Sequence, residues 1–125
     1  MTDLAPFVDL ELAVMDLLGD LAPTGTVTPP NLADELPFIR VTRYGGGDNL
    51  ITDTARLDID TFATSWPACK ALAEQVRQRL LSWPHTTSAG VIDRVSTDTG
   101  PHQVPWDNPN VRCFAAAYRV TGRRR

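Results

Sequence analysis

The residues best equipped for chemistry in this chain are four soft ligands, Cys69, His85, His102 and Cys113. Zinc accepts such a set, but zinc sites legible in sequence come as close pairs, C-x-x-C or H-x-x-x-H, whose members share one turn or one helix face. None of the four forms such a pair. Cys69 falls on the apolar stripe of a helix and Cys113 in a strand, where a buried thiol is the common outcome. The two histidines stand in proline-containing stretches and are expected in solvated loops. Asp58-x-Asp60 places two carboxylates on one strand face, because alternate strand residues point the same way. Some metal-dependent transferases use that spacing, but no nucleotide-binding unit accompanies it here. Gly45-Gly46-Gly47 is followed by no G-K-[ST], and it leads into a strand, not into a helix N-terminus that could hold phosphate. There is no G-x-S-x-G and no serine or cysteine with a convincing partner base. The expectation is no enzyme, no metal and no cofactor.

The elements that position these residues follow from periodicity and punctuation. Phe7, Leu10, Val14, Leu17, Leu18 and Leu21 form a helical stripe, which predicts an N-terminal helix over about Asp3 to Leu21 (the segment 1–22) with Asp3 as cap and Pro6 in the first turn. APTGTVTPPN (Ala22 to Asn31) reads as a turn-rich link. In Leu36 to Tyr44, Ile39 and Val41 alternate with Phe38, Arg40 and Thr42, the pattern of a strand. GGGDNLITD (Gly45 to Asp53) reads as a hairpin loop. In the return strand, Thr54 to Ala63, Ala55, Leu57 and Ile59 face inward while Arg56, Asp58 and Asp60 face outward. Ser65-Trp66-Pro67 opens a helix with Cys69, Leu72, Ala73, Val76, Leu80 and Trp83 on one face, and Pro84 stops it. Two more strands are expected, Val91 to Asp98 and Val111 to Thr121, separated by a long loop in which Trp106 anchors the chain. Gly122 to Arg125 reads as a mobile basic tail. The expected fold is one α+β domain over 1–125, with a mostly antiparallel four-stranded sheet packed with two helices in the order α-β-β-α-β-β.

Composition narrows the class. Hydrophobic residues at 42% and charged residues at 22% are ordinary for a globular domain, and 125 residues suit one core. Twelve basic against fifteen acidic residues give a formal charge of −3, which argues against a dedicated duplex-DNA binder. No secretory signal precedes the first helix, and no apolar run approaches the ~20 residues that cross a bilayer. A cytoplasmic origin with reduced cysteines is the expectation.

Three stretches carry a resemblance: LPFIRVTRYGGG (Leu36 to Gly47), DTARLDIDTFAT (Asp53 to Thr64) and WPACKALAEQVRQRL (Trp66 to Leu80). A proline-led strand ending in a Gly-Gly turn, an acidic-alternating strand, and a helix spelled A-x-x-L-A-x-x-V-x-x-x-L together resemble the tail terminator family of long-tailed bacteriophages. Ala71, Leu72, Ala73, Val76 and Leu80 carry the helix. The resemblance implies a virion protein assembled in the host cytoplasm. It would form a hexameric ring that docks on the last ring of the tail tube, ends its polymerisation and meets the head-tail connector, while DNA passes through the hole without specific binding. On that view Tyr44, Gly45, Gly46, Gly47, Asp48 and Asn49 reach a neighbouring subunit or the tube. Asp58 and Asp60 line the lumen, and Arg123, Arg124 and Arg125 touch an acidic partner.

Three alternatives make different demands. Another neck or head completion protein shares the size but not the Gly-Gly hairpin with its following helix. A small toxin-type ribonuclease needs a basic cleft with acid, base and phosphate clamp, against which stand the net negative charge and the lone Lys70. A single-strand binder would stack bases on Tyr44, Trp66, Trp83 and Trp106, but Trp66 and Trp83 bracket the core helix and are better placed to pack.

Overall fold

The computed structural model describes residues 5–124. Two helices and six strands follow in the order α1 (Leu10–Leu18), β1 (Thr24–Gly25), a 3-10 turn at Leu32–Asp34, β2 (Phe38–Asp48), β3 (Thr52–Ala63), α2 (Trp66–Leu81), β4 (His85–Thr87), β5 (Gly90–Val104) and β6 (Arg112–Arg123). The strands make one mixed sheet, β1-β2-β3-β6-β5-β4, parallel only between β1 and β2. The four expected strands are its centre. The two extra ones, of two and three residues, are too short for any alternation to register in sequence.

The second helix forms as its residues require. The Ser65 hydroxyl accepts the Ala68 amide at 3.3 Å, and Pro67 occupies the first turn, where its missing N–H costs nothing. Cys69, Leu72, Ala73, Val76 and Leu80 are all buried. They lie over β3, β6 and β5, so the helix covers the middle of the sheet and not the β2–β3 hairpin alone. Trp83 lies beyond the helix end and is 43% exposed, contrary to its expected place on the buried face.

The first helix is half the expected length. Asp9, not Asp3, is its cap, accepting the Leu12 amide at 3.0 Å. Asp3 itself lies outside the described residues. Phe7 and Val8 are drawn into the sheet instead: Phe7 bridges Arg124, and the Val8 amide donates to the Arg123 carbonyl. Satisfying backbone groups at the sheet end wins over extending an amphipathic stripe by two turns.

Ile39, Val41, Ala55, Leu57, Ile59, Tyr118 and Val120 form the sheet's inner face, closed by Val14, Leu18, Leu72, Val76 and Leu80 from the helices. On the opposite, outer face a smaller cluster of Leu32, Phe38, Phe62, Val111 and Cys113 is roofed by Leu36 and Trp106. Trp106 stands edge-on to Phe62 at 4.8 Å, the anchoring role its loop was expected to need.

Three expected loops are strand. β2 runs through Gly45, Gly46, Gly47 and Asp48, which pair with Arg56, Ala55, Thr54 and Asp53, so the connection shrinks to Asn49–Ile51. Glycine at 46 is what makes this possible: its φ is +114° and a Cβ there would lie 1.9 Å from the Thr54 carbonyl oxygen. β5 runs through Gly100, Pro101 and His102, interrupted by register shifts that accommodate the proline. β6 takes in Gly122 and Arg123, which pair with Asp53 and Thr52. Much of the stretch expected as a tail is thus strand, and the guanidinium of the following Arg124 lies 4.1 Å over the Phe7 ring and donates to the carbonyls of Ala5 and Leu50. Arg125 lies outside the described residues.

Candidate functional site

Both helices pack on the inner face, so the outer face beyond the Trp106 cluster is open sheet. Its charges are arranged in pairs between strands, most of them neighbours, with Arg56 of β3 reaching across β6 to Asp98 of β5. Arg40 meets Asp60 at 2.6 Å, Arg56 meets Asp98 at 2.8 Å, Arg119 meets Asp98 at 3.6 Å, and Arg123 meets Asp93 at 3.1 Å. Asp60 is thus not the free exposed carboxylate that strand alternation suggested; it is buried, with Arg40 lying across it and over the Phe62 ring. Asp58 is half-buried. Burial, then the neighbouring Asp60, push its carboxyl above the ordinary range, and a hydrogen bond from Tyr44 opposes them. Tyr44, Asp58 and Asp60 share a depression of about 250 Å³ with Thr99 and His102, floored by Ala115 and Ala117. The structure therefore gathers three expected site residues on one surface.

The glycines reach away from it. Gly45, Gly46, Gly47, Asp48 and Asn49 lie along the turn end of the β2–β3 hairpin, and all are exposed. At the tip the Asn49 side chain accepts the amides of Ile51 and Thr52, at 2.8 and 2.7 Å, closing a rigid turn that holds Leu50 and Ile51 out, 68% and 64% exposed. Arg43 steadies the base of this arm. Its guanidinium grips Asp53 through two bonds of 2.7 and 2.8 Å, and its amide, at the register shift before Gly45, donates to Glu11 of α1 at 2.7 Å. The Asp53 partnership, larger than the opposing burial, raises the Arg43 pKa. Neither Glu11 nor the Arg43–Asp53 pair stands out in sequence, because each is defined by a contact between distant segments.

The four soft ligands stay apart among the described residues. Cys69 packs on the inner face, donating to the Thr61 carbonyl at 3.1 Å, while Cys113 packs on the outer face beside Phe62. His85 lies against the Leu80 carbonyl and His102 against that of Gly100. Among the described residues no three histidines, cysteines or acids come together in a way that could hold a metal ion. Burial raises the Cys69 thiol and pushes that of Cys113 up to about 12, far from the thiolate a nucleophile needs. Both histidines belong to strands, not to the loops expected of them.

Comparison with known proteins points to one family. The model of the phage tail termination protein family matches residues 6–125. The chain belongs to that family. Its fold is shared with a chain from the virion of a native gene transfer agent particle, at a TM-score of 0.66 and 16% identity, covering 91% of this chain and 94% of the other. No curated protein matches the sequence. The terminator is accordingly a structural, non-enzymatic component of the virion tail. No described helix is long and apolar enough to cross a membrane.

Proposed function

We propose that this terminator forms a ring, hexameric by the family resemblance, on the head-proximal end of the tail tube. There it ends tube polymerisation and joins the tail to the head-tail connector. The match to the tail termination family over nearly the whole chain carries this reading. Two features of the fold support it. The hairpin arm with Leu50 and Ile51 held outward by the Asn49 turn supplies a rigid apolar contact for the tube or a neighbour. The open sheet face, with Asp58 and Asp60, is the side we assign to the lumen. Its cross-strand pairs neutralise their own charge, so a passing phosphate backbone meets neither a row of free arginines to bind nor a row of free carboxylates to repel it. Arg123 and Arg124 are tied to Asp93 and Phe7, which leaves Arg125 as the remaining candidate for an acidic partner.

The test is reconstitution. Purified tail tube protein polymerises with and without the terminator, and tube length is read by electron microscopy while light scattering gives the terminator's mass. Tubes that stop growing and carry a cap at one end support the reading. Unchanged tube lengths, with the terminator monomeric at every concentration, sink it.

A further inference from the structure

We infer that neighbouring copies of this chain join edge to edge, with the Arg94–Ser96 segment of β5 from one copy adding as a strand to the Gly45–Gly47 segment of β2 in the next. The inference rests on the ring reading and says how the ring closes.

Both edges of the sheet are open in the same band. β1 pairs only with Ile39 and Arg40, and Glu11 occupies the Arg43 amide, so among the described residues no strand covers the outer edge of Gly45–Asp48. At the far side β4 pairs only with Gly90–Ile92, and among the described residues β5 beyond it has no outer strand. An open edge is a template for another chain, and proteins that stay monomeric usually blunt it with lysine, proline or a covering loop. Gly45–Gly47 itself carries no charge, no proline and, among the described residues, no covering loop; a register shift before Gly45 and the charge of Asp48 flank it. Gly47 is also unexplained inside the protomer: its φ is ordinary, and a Cβ there would meet nothing within 4 Å. Glycine in a strand often marks a bulge, a bend or a close approach by a ligand or another backbone. The register shift here ends before Gly45, two residues short of Gly47, so we take the last of these for Gly47.

The two edges fit each other in direction, register and hydrogen-bond phase. β2, β3, β6 and β5 alternate in direction, so β5 runs opposite to β2. A copy moved sideways, without being turned over, presents β5 antiparallel to β2. The rows across the sheet run Gly47–Thr54–Thr121–Arg94, Gly46–Ala55–Val120–Val95 and Gly45–Arg56–Arg119–Ser96, which sets the two segments level. Asn49 donates its amide across the hairpin to Thr52, and ladder bonds alternate along antiparallel strands. Gly45 and Gly47 therefore turn their backbone groups to β3 and Gly46 turns its own outward. The same alternation, carried along the middle row, turns those of Val95 outward. Large exposed apolar residues flank both edges, Tyr44, Leu50 and Ile51 beside β2, Trp83 and Val91 beside β5. The contact is head-to-tail, so it propagates until the rotation closes it.

Double variants Gly47→Cys/Arg94→Cys and Gly47→Cys/Ser96→Cys test the level join and one staggered by two residues. Cys69 and Cys113 are buried and stay out of the reaction. Oxidation at concentrations where light scattering shows the multimer is expected to give a covalent ladder through trimer and beyond in at least one double variant, and at most dimer in the single variants. A multimer of unchanged mass with no ladder, or with one that stops at dimer, overturns edge joining and leaves the ring standing. A monomer at every concentration overturns both. Hydrogen exchange on the unmodified chain decides the matter if the variants fail to fold. The Gly46 and Val95 amides are expected to slow on assembly, and unchanged exchange at both in the multimer refutes the join.

Discussion

Tyr118 offers the sharpest test of the packing. It lies in the middle of β6 on the inner face, is 1% exposed, and its hydroxyl has no hydrogen-bond partner. An unpartnered buried hydroxyl costs ~1–3 kcal/mol relative to water. Tyr118→Phe removes that cost and leaves the ring packing in place, so it is expected to stabilise the fold by ~1 kcal/mol. For a chain of this length that is about 4 °C in Tm. The hydroxyl also gives the effect a pH signature. Burial pushes its pKa up to about 12 from the ordinary 10. The raised folded-state value means that the proton is held more tightly in the native state. The associated stability is present below pH 10 and is lost as pH rises from 10 toward 12, by up to ~3 kcal/mol. The phenylalanine variant has no such term, so its advantage over the parent should widen across that window while other alkaline losses cancel between the two. Urea denaturation at neutral pH and at intervals up to pH 12 measures both effects. The reasoning is refuted if the variant is the less stable protein at pH 7, which would mean that the hydroxyl is bonded in solution. It is also refuted if the difference stays flat above pH 10.

Three further outcomes follow from the same structure. Asp53→Asn leaves Arg43 without its two-bond partner at a buried position, and an expected loss of ~2 kcal/mol is measurable as a lower urea midpoint; an unchanged midpoint would mean that the pair contributes nothing net. Gly46→Ala forces a Cβ into the Thr54 backbone at φ +114°, whereas Gly47→Ala meets open space. The first should cost ~2 kcal/mol or more in thermal unfolding and the second should be neutral or slightly stabilising, and equal effects would overturn the strand geometry given to the arm. The Cys69 and Cys113 thiols, both buried with raised pKa, should resist a disulfide reagent in native buffer and react only on unfolding; labelling at the rate of a free thiol would contradict their burial.

The parts of this fold that were legible in sequence are those whose signals are local. A serine cap, a proline in the first turn and five apolar residues at helical spacing define α2 almost to the residue. Strict alternation from Ala55 to Ile59 identifies the buried face of β3. The parts that were not legible depend on long-range pairing. The N-terminal stripe from Phe7 predicted a longer helix, but the backbone of β6 claims Phe7 and Val8, and nothing near them in sequence announces that. The outward turn of Asp60 was right and its exposure wrong, because Arg40 arrives from the neighbouring strand.

The triple glycine is the instructive case, since local chemistry pointed away from the observed structure. Three glycines and an Asp-Asn pair carry every mark of a loop, yet four residue pairs of β2 and β3, Gly45 to Asp48 with Arg56 to Asp53, form through this region because β3, held on its other side by β6, supplies a template that a flexible segment can follow. Gly45 and Gly46, both at positive φ, are demanded by that backbone, and Gly47 is not. Had the segment been a loop, flexibility alone would account for all three glycines. As strand, it leaves Gly47 without an internal reason and leaves its edge without a cover, and the two facts have one explanation in common, a neighbouring backbone. In a protein whose function is to be one member of an assembly, residues that look unexplained in the protomer are where the contact should be sought. Here they coincide with the strand whose direction, register and hydrogen-bond phase match the opposite edge of the same sheet.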